Sequence, residues 1–217
     1  MDSCISGFLS GISQTIFGYP FDTWKTRRQA SQVLSIRVFP QIAFRGMSVP
    51  LLFNGFYQSF LFTHTSFLQT NCYSSWYISG ALSGSIGSLF TIPIESWKIT
   101  RQCIKPQIKI PWRFVCISTI LRDSIGSSIY FGSYHRLKNT NQSILFIGGI
   151  SGWMSWFFTY PLDTYKTRFQ LAQAHSWKQV FYQGNPFAGF SVFSIRCFIV
   201  NAISWFVYES VHKIIVK

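Results

Sequence analysis

The chain has 217 residues, of which 48% are hydrophobic and 19% aromatic, and it carries 19 Lys and Arg against 6 Asp and Glu for a formal net charge of +13. That length allows one domain or two, and the hydrophobicity excludes a disordered chain. Only 12% of residues are charged, so the basic excess comes from missing acids and does not have the mixed-sign charge of a soluble nucleic-acid binder.

Three segments contain no Asp, Glu, Lys or Arg: Ser3–Phe21, Met47–Ile94 and Asn139–Leu162. The middle one exceeds a single span and breaks at Gln69-Thr70-Asn71. Phe114–Tyr134 contains only Arg122 and Asp123, and Phe187–Tyr208 only Arg196. The pattern predicts six helices near 3–24, 47–69, 72–97, 114–134, 142–165 and 187–208. Each approaches the roughly 20 residues that cross a bilayer. A soluble all-α protein is disfavoured, since consecutive uncharged runs of this length are rare in water. The mean hydropathy is only +0.22. Helices rich in Ser, Thr and Gly suit a bundle around a water-filled path. The N-terminus lacks the basic leader of a cleavable signal peptide. Cys4, Cys72, Cys103, Cys116 and Cys197 show no C-x-x-C spacing and read as buried free thiols. Thirteen of the nineteen basic residues fall in 22–45, 95–113 and 163–186, which places those segments on the interior side of the membrane.

Three stretches align without gaps. Gly7-x-x-x-Gly11, Gly80-x-x-x-Gly84 and Gly148-x-x-x-Gly152 each precede a proline, at Pro20, Pro93 and Pro161, by 13 residues from the first glycine. Each proline opens a P-x-[DE]-x-x-K unit: Asp22 with Lys25, Glu95 with Lys98, Asp163 with Lys166. Gln29, Gln102 and Gln170 follow, each four residues after its lysine. The paired glycines let a neighbouring helix approach closely. A proline in a helix bends its axis. Lysine suits a helix C-terminus and an acid does not, so an acid kept there three times predicts a partner on another helix.

On these motifs the sequence resembles the mitochondrial carrier family, solute carriers of six helices in three repeats. Phe44-Arg45-Gly46 and Gln183-Gly184-Asn185-Pro186-Phe187-Ala188-Gly189 resemble the family's starts of even helices. The resemblance implies an all-α membrane protein, one carrier domain over 1–217 with repeats at 1–70, 71–139 and 140–217, and six transmembrane helices around a central cavity. It implies a matrix-side gate of inter-repeat pairs Asp22–Lys98, Glu95–Lys166 and Asp163–Lys25, braced by Gln29, Gln102 and Gln170. It also implies a cytoplasmic gate, here reduced to Tyr134, Lys138, Tyr208 and Glu209 and expected to close mainly by aromatic packing. Pro-to-Pro intervals of 73 and 68 residues are shorter than the family's, with the shortfall in the basic segments.

Charges inside spans are site candidates, because they are costly at mid-membrane unless paired or hydrated. Arg122 and Asp123 fall at the family's second substrate contact point, Arg196 at the third, and Phe53 and Asn54 at the first. Tyr57, Gln58, Gly126, Ser127, Tyr130 and Asn201 follow at helical spacing. In the family an Arg–acid pair accompanies amino-acid-like substrates: S-adenosylmethionine, carnitine or basic amino acids. Asp123 suits an ammonium or sulfonium, and Arg122 or Arg196 a carboxylate. The Ile120-Leu121-Arg122-Asp123 run most resembles the S-adenosylmethionine branch. The expected function is alternating-access transport of a small charged metabolite across the mitochondrial inner membrane by a multi-pass protein. A nucleotide carrier and a non-transporting scaffold on the same fold are the alternatives. An enzyme is not expected: no metal cluster, phosphate loop or nucleophile–base pair stands out, and His64, His135, His175 and His212 are scattered. The expected partners are the small-molecule substrate and the lipid bilayer, with cardiolipin a candidate lipid. No nucleic acid, cofactor or metal is expected, and the expected state is a monomer.

Overall fold

The computed structural model describes residues 2–29, 48–72, 75–102, 112–140, 142–170, 187 and 190–215; at positions 2, 20, 22–29, 48–50, 93–102, 112–115, 165–170, 191 and 192 only the backbone is described. Among these residues the chain is six helices without strands: α1 Asp2–Gln29, α2 Ser48–Cys72, α3 Trp76–Gln102, α4 Trp112–Leu137, α5 Ile144–Gln170 and α6 Phe190–Ile215. All six elements fall where the uncharged runs place them. Each helix packs on the next, and α6 returns to α1, so the six close into a ring in chain order. The contacts within α1/α2, α3/α4 and α5/α6 are more extensive than those between these pairs.

Sequence chemistry accounts for the pairing. A methyl group on Gly7 would lie 2.8 Å from the Ser59 Cα, one on Gly80 2.6 Å from the Ser127 carbonyl oxygen, and one on Gly148 2.6 Å from the Trp205 Cβ. One turn on, Gly11, Gly84 and Gly152 press against Asn54, Asp123 and Asn201 more closely still. The three G-x-x-x-G steps are therefore the seats on which α2, α4 and α6 rest. Short polar turns set the antiparallel order. Ser75 caps α3, its hydroxyl 3.4 Å from the Ile78 N–H, and Ser143 caps α5 in the same way at Phe146.

Apart from one aromatic end, the interior of the ring is rich in hydroxyls, and its outer surface is apolar. Ser6, Ser10, Ser13, Thr15, Ser79, Ser83, Ser88, Thr91, Ser127, Ser155, Thr159 and Ser204 are all buried. Half of these hydroxyls bond back along their own helix, as Thr15 does to the Gly11 carbonyl (3.0 Å), Ser83 to Ser79 (2.8 Å) and Thr159 to Ser155 (2.9 Å). Large apolar side chains face outward at helical spacing: Leu52 and Phe56 on α2, Ile78, Leu82, Ile86 and Leu89 on α3, Ile117, Leu121 and Ile125 on α4, and Ile195, Ile199 and Phe206 on α6. Phe56 is 65% exposed and Ile195 64%. This is the inverse of a water-soluble bundle.

Two expectations need correction. Among the described residues, no helix is long and apolar enough to cross a membrane. The hydroxyl-rich inner faces lower the average, so the apolarity lies on one side of each helix and not along a whole segment. Cys4 and Cys72 are exposed, whereas Cys197 is buried as expected, because Cys4 and Cys72 lie near helix ends and not at the packed mid-level of the ring.

Candidate functional site

One end of the ring is closed by aromatic side chains. Leu61 and Phe62 from α2, Tyr130, Phe131 and Tyr134 from α4, Ile147 from α5, and Trp205 and Tyr208 from α6 form the buried apolar cluster. Trp205 stacks on Tyr134 with centroids 3.3 Å apart, and Phe62 stacks on Tyr208 at 4.0 Å. Beside this plug, Glu209 accepts hydrogen bonds from the Tyr134 hydroxyl at 3.0 Å and from the Lys138 ammonium. The four residues expected at the reduced gate, Tyr134, Lys138, Tyr208 and Glu209, thus meet at one level. Phe62, Phe131 and Trp205 extend the plug. Phe62 lies in the charge-free stretch equivalent to the gate motif, whereas Phe131 and Trp205 do not stand out in helices so rich in aromatics. Outside the plug, His135 stacks on Trp76 at 3.4 Å.

Below the plug lies a belt of neutral polar groups on α1, α2 and α6. The Gln58 amide donates to the Gln14 carbonyl oxygen at 2.9 Å, and the Gln14 amide donates to the Asn201 carbonyl oxygen at 3.3 Å. Asn201 in turn donates to the Cys197 carbonyl at 2.7 Å, and Asn54 donates to the Thr15 hydroxyl at 3.0 Å. Asn54, Gln58 and Asn201 were expected here; Gln14 and Thr15 were not. Phe53 stacks on Tyr57 at 6.1 Å, and Tyr57 reaches the plug. Ser127 faces Gly84, and Tyr130 belongs to the plug. The Gly126 carbonyl accepts a hydrogen bond from Ser155 at 2.7 Å.

The opposite wall, α3 to α5, carries charge. The Arg122 Nε and Nη2 both donate to Asp123 Oδ1, each at 2.8 Å. Thr91 on α3 donates to the second oxygen, Oδ2, at 2.9 Å. The remaining nitrogen, Nη1, reaches across to Asp163 Oδ1 on α5 at 3.0 Å. Arg122 and Asp123 are mostly buried, and Asp163 is about one-third exposed, at 35%. A guanidinium can do this because its donors form a planar fork that serves two carboxylates at once. Arg196 on α6 lies against α1, where a methyl on Gly18 would be 3.2 Å from its Nη2, and its guanidinium sits 5.6 Å from the Phe193 ring centroid.

Of the residues assigned to the matrix-side gate, only the Asp163 side chain is described, and it meets Arg122. Asp22, Lys25, Glu95, Lys98 and Lys166, with the brace residues Gln29, Gln102 and Gln170, lie outside the described side chains. The described helices α1, α3 and α5 run to those three glutamines.

The comparisons with known proteins bear on the same chain. The family model for mitochondrial carrier proteins matches residues 138–217. A mitochondrial arginine transporter of Arabidopsis thaliana is 26% identical, over 94% of this chain and 88% of the relative. A glutamate/glycine mitochondrial carrier of Schizosaccharomyces pombe is 25% identical over 96% of this chain and 93% of the relative. The mitochondrial basic amino acids transporter of Homo sapiens is 24% identical over 76% and 70%. The chain is thus similar to mitochondrial carrier proteins, which are transporters and not enzymes, over residues 138–217 by the family model and over most of its length by these relatives.

Proposed function

We propose that this protein is a multi-pass solute carrier of the mitochondrial inner membrane that moves a cationic, amino-acid-like solute by alternating access. The observation that carries the reading is the inner charged cluster of Arg122, Asp123 and Asp163, set among buried hydroxyls and amides. Charges at this depth are costly, and carboxylates placed there suit a solute that brings positive charge. The apolar outer faces support insertion in lipid, because large side chains such as Phe56, Leu89 and Ile195 are left mostly exposed. The relatives named as arginine and basic amino acids transporters support the substrate class.

In this reading the three repeats surround one path. The aromatic plug and Glu209 close one end, and the acid–lysine units close the other. A solute at the centre shifts the balance only by binding one state better than the other. The test is uptake by the purified protein in liposomes, with arginine, lysine, carnitine, S-adenosylmethionine and adenine nucleotides offered in parallel. Saturable uptake of a cationic amino-acid-like solute, lost in Asp123→Asn, is the expected result. Uptake of nucleotides alone, or of nothing while the protein inserts normally, would overturn the reading in favour of a nucleotide carrier or a scaffold.

A further inference from the structure

Asp123 is a mostly buried carboxylate within the ring, and its oxygens are already engaged. Arg122 takes Oδ1 with two nitrogens, and Thr91 takes Oδ2. The same guanidinium holds Asp163, an acid of a P-x-[DE]-x-x-K unit on a different helix, through its third nitrogen at 3.0 Å. A solute cation arriving at Asp123 therefore meets a protein cation in its place, and that cation also grips α5.

We infer that the Arg122 guanidinium is a built-in stand-in for the solute's cationic head, and that it latches α4 to α5. This rests on the reading above in which Asp123 is the cation seat. The solute takes the seat by displacing Arg122, and the displaced guanidinium lets go of Asp163. Occupancy of the seat and release of Asp163 from Arg122 are then two ends of one exchange of hydrogen bonds. The residue expected to bind a solute carboxylate acts instead as a competitor of the solute's positive group. The seat also acquires a chemical preference. A group now satisfied by a planar guanidinium will best accept another planar cation with several N–H donors, and a quaternary ammonium poorly.

The two roles of Arg122 predict opposite effects of removing it. A residue that binds the solute weakens binding when deleted; an internal competitor strengthens it, since the binding-competent fraction rises. The probe is methylguanidinium chloride, which has the cationic head but no carboxylate, with tetramethylammonium chloride at equal concentration as the ionic control. Binding is read as thermal stabilisation of the full-length protein in detergent. Arg122→Ala is expected to bind methylguanidinium at least about tenfold more tightly than the wild type, the scale of losing one charge-assisted hydrogen bond or more. The double variant Arg122→Ala, Asp123→Asn is expected to lose that gain. Arg122→Lys keeps the charge with fewer, less well-directed donors, so it decides the question if the alanine variant does not fold, and it is also expected to bind more tightly than wild type. Equal responses of wild type and the folded single variants, or an undiminished gain in the double variant, would overturn the proposal. Binding of this probe requires no transport, so failure here is distinct from failure of the uptake assay.

Discussion

Gly84→Ala tests whether the glycine steps position the charged cluster. A methyl at Gly84 collides with the Asp123 backbone, its carbonyl carbon 2.8 Å away, and lies 2.8 Å from the Ser127 hydroxyl oxygen. The obstructing atoms are mostly backbone and cannot swing aside. Overpacking of this kind costs about 1–3 kcal/mol, with this case toward the upper end. Replacing a helical glycine by alanine returns about 1 kcal/mol of helix propensity. The net expectation is a destabilisation of about 1–2 kcal/mol. Gly126 on α4 is the internal control. A methyl there would come no closer than 3.4 Å to the Ser155 hydroxyl and Thr159 methyl, which is ordinary contact. Gly126→Ala should therefore keep most of its propensity gain, about 0.5–1 kcal/mol. The two variants then differ by about 2–3 kcal/mol, or roughly 5–10 °C in Tm for a chain of this size. Thermal unfolding of the two proteins side by side reads the difference. Gly84→Ala should also lose uptake, because it displaces Asp123, whereas Gly126→Ala should retain it. Tm values within about 2 °C of each other would refute the close-approach reasoning.

Glu209→Gln should lower stability by about 1–2 kcal/mol, because it weakens two hydrogen bonds while Lys138, at 43% exposure, remains solvated. A double-mutant cycle with Lys138→Gln checks it, and additive losses would show that the pair is not coupled. Trp205→Ala should cost about 3–5 kcal/mol by emptying the middle of the plug. Trp205→Phe should cost far less, since the buried Trp205 Nε1 makes no hydrogen bond and its loss leaves nothing unsatisfied. Equal Tm losses for the two Trp205 variants would contradict that account. Asp163→Asn should abolish liposome uptake with insertion preserved, and normal uptake would remove Asp163 from the gate.

Much of the architecture was legible because charge is scarce. Uncharged runs located all six helices with ends within seven residues, and the spacing of Gly80 and Gly84 foretold a close neighbour. The Arg122–Asp123 pair stood out for the same reason. Other features escaped because they depend on which way a common residue type faces. Gln14, Thr15 and Thr91 are neutral groups in helices full of Ser and Thr, and only the ring shows that they point inward to Gln58, Asn54 and Asp123. Repeat logic pairs each acid with a lysine of another unit, so it could not anticipate that Asp163 meets an arginine outside the motif. Averaged hydropathy likewise conceals that apolar and polar residues occupy opposite faces of one helix.

The back-bonded hydroxyls have a mechanical consequence. A serine whose proton is held by a carbonyl one turn earlier on its own helix carries that bond along when the helix tilts or slides. At those positions the helices meet through small side chains in van der Waals contact, and no bond of that hydroxyl need break before movement begins. Directional cross-links such as Ser10–Ser204, Gln14–Gln58 and Arg122–Asp163 join helices at other points. Resistance to motion then falls on the cross-links and not on the back-bonded hydroxyls, and a small solute that competes for a cross-link acts on two helices at once.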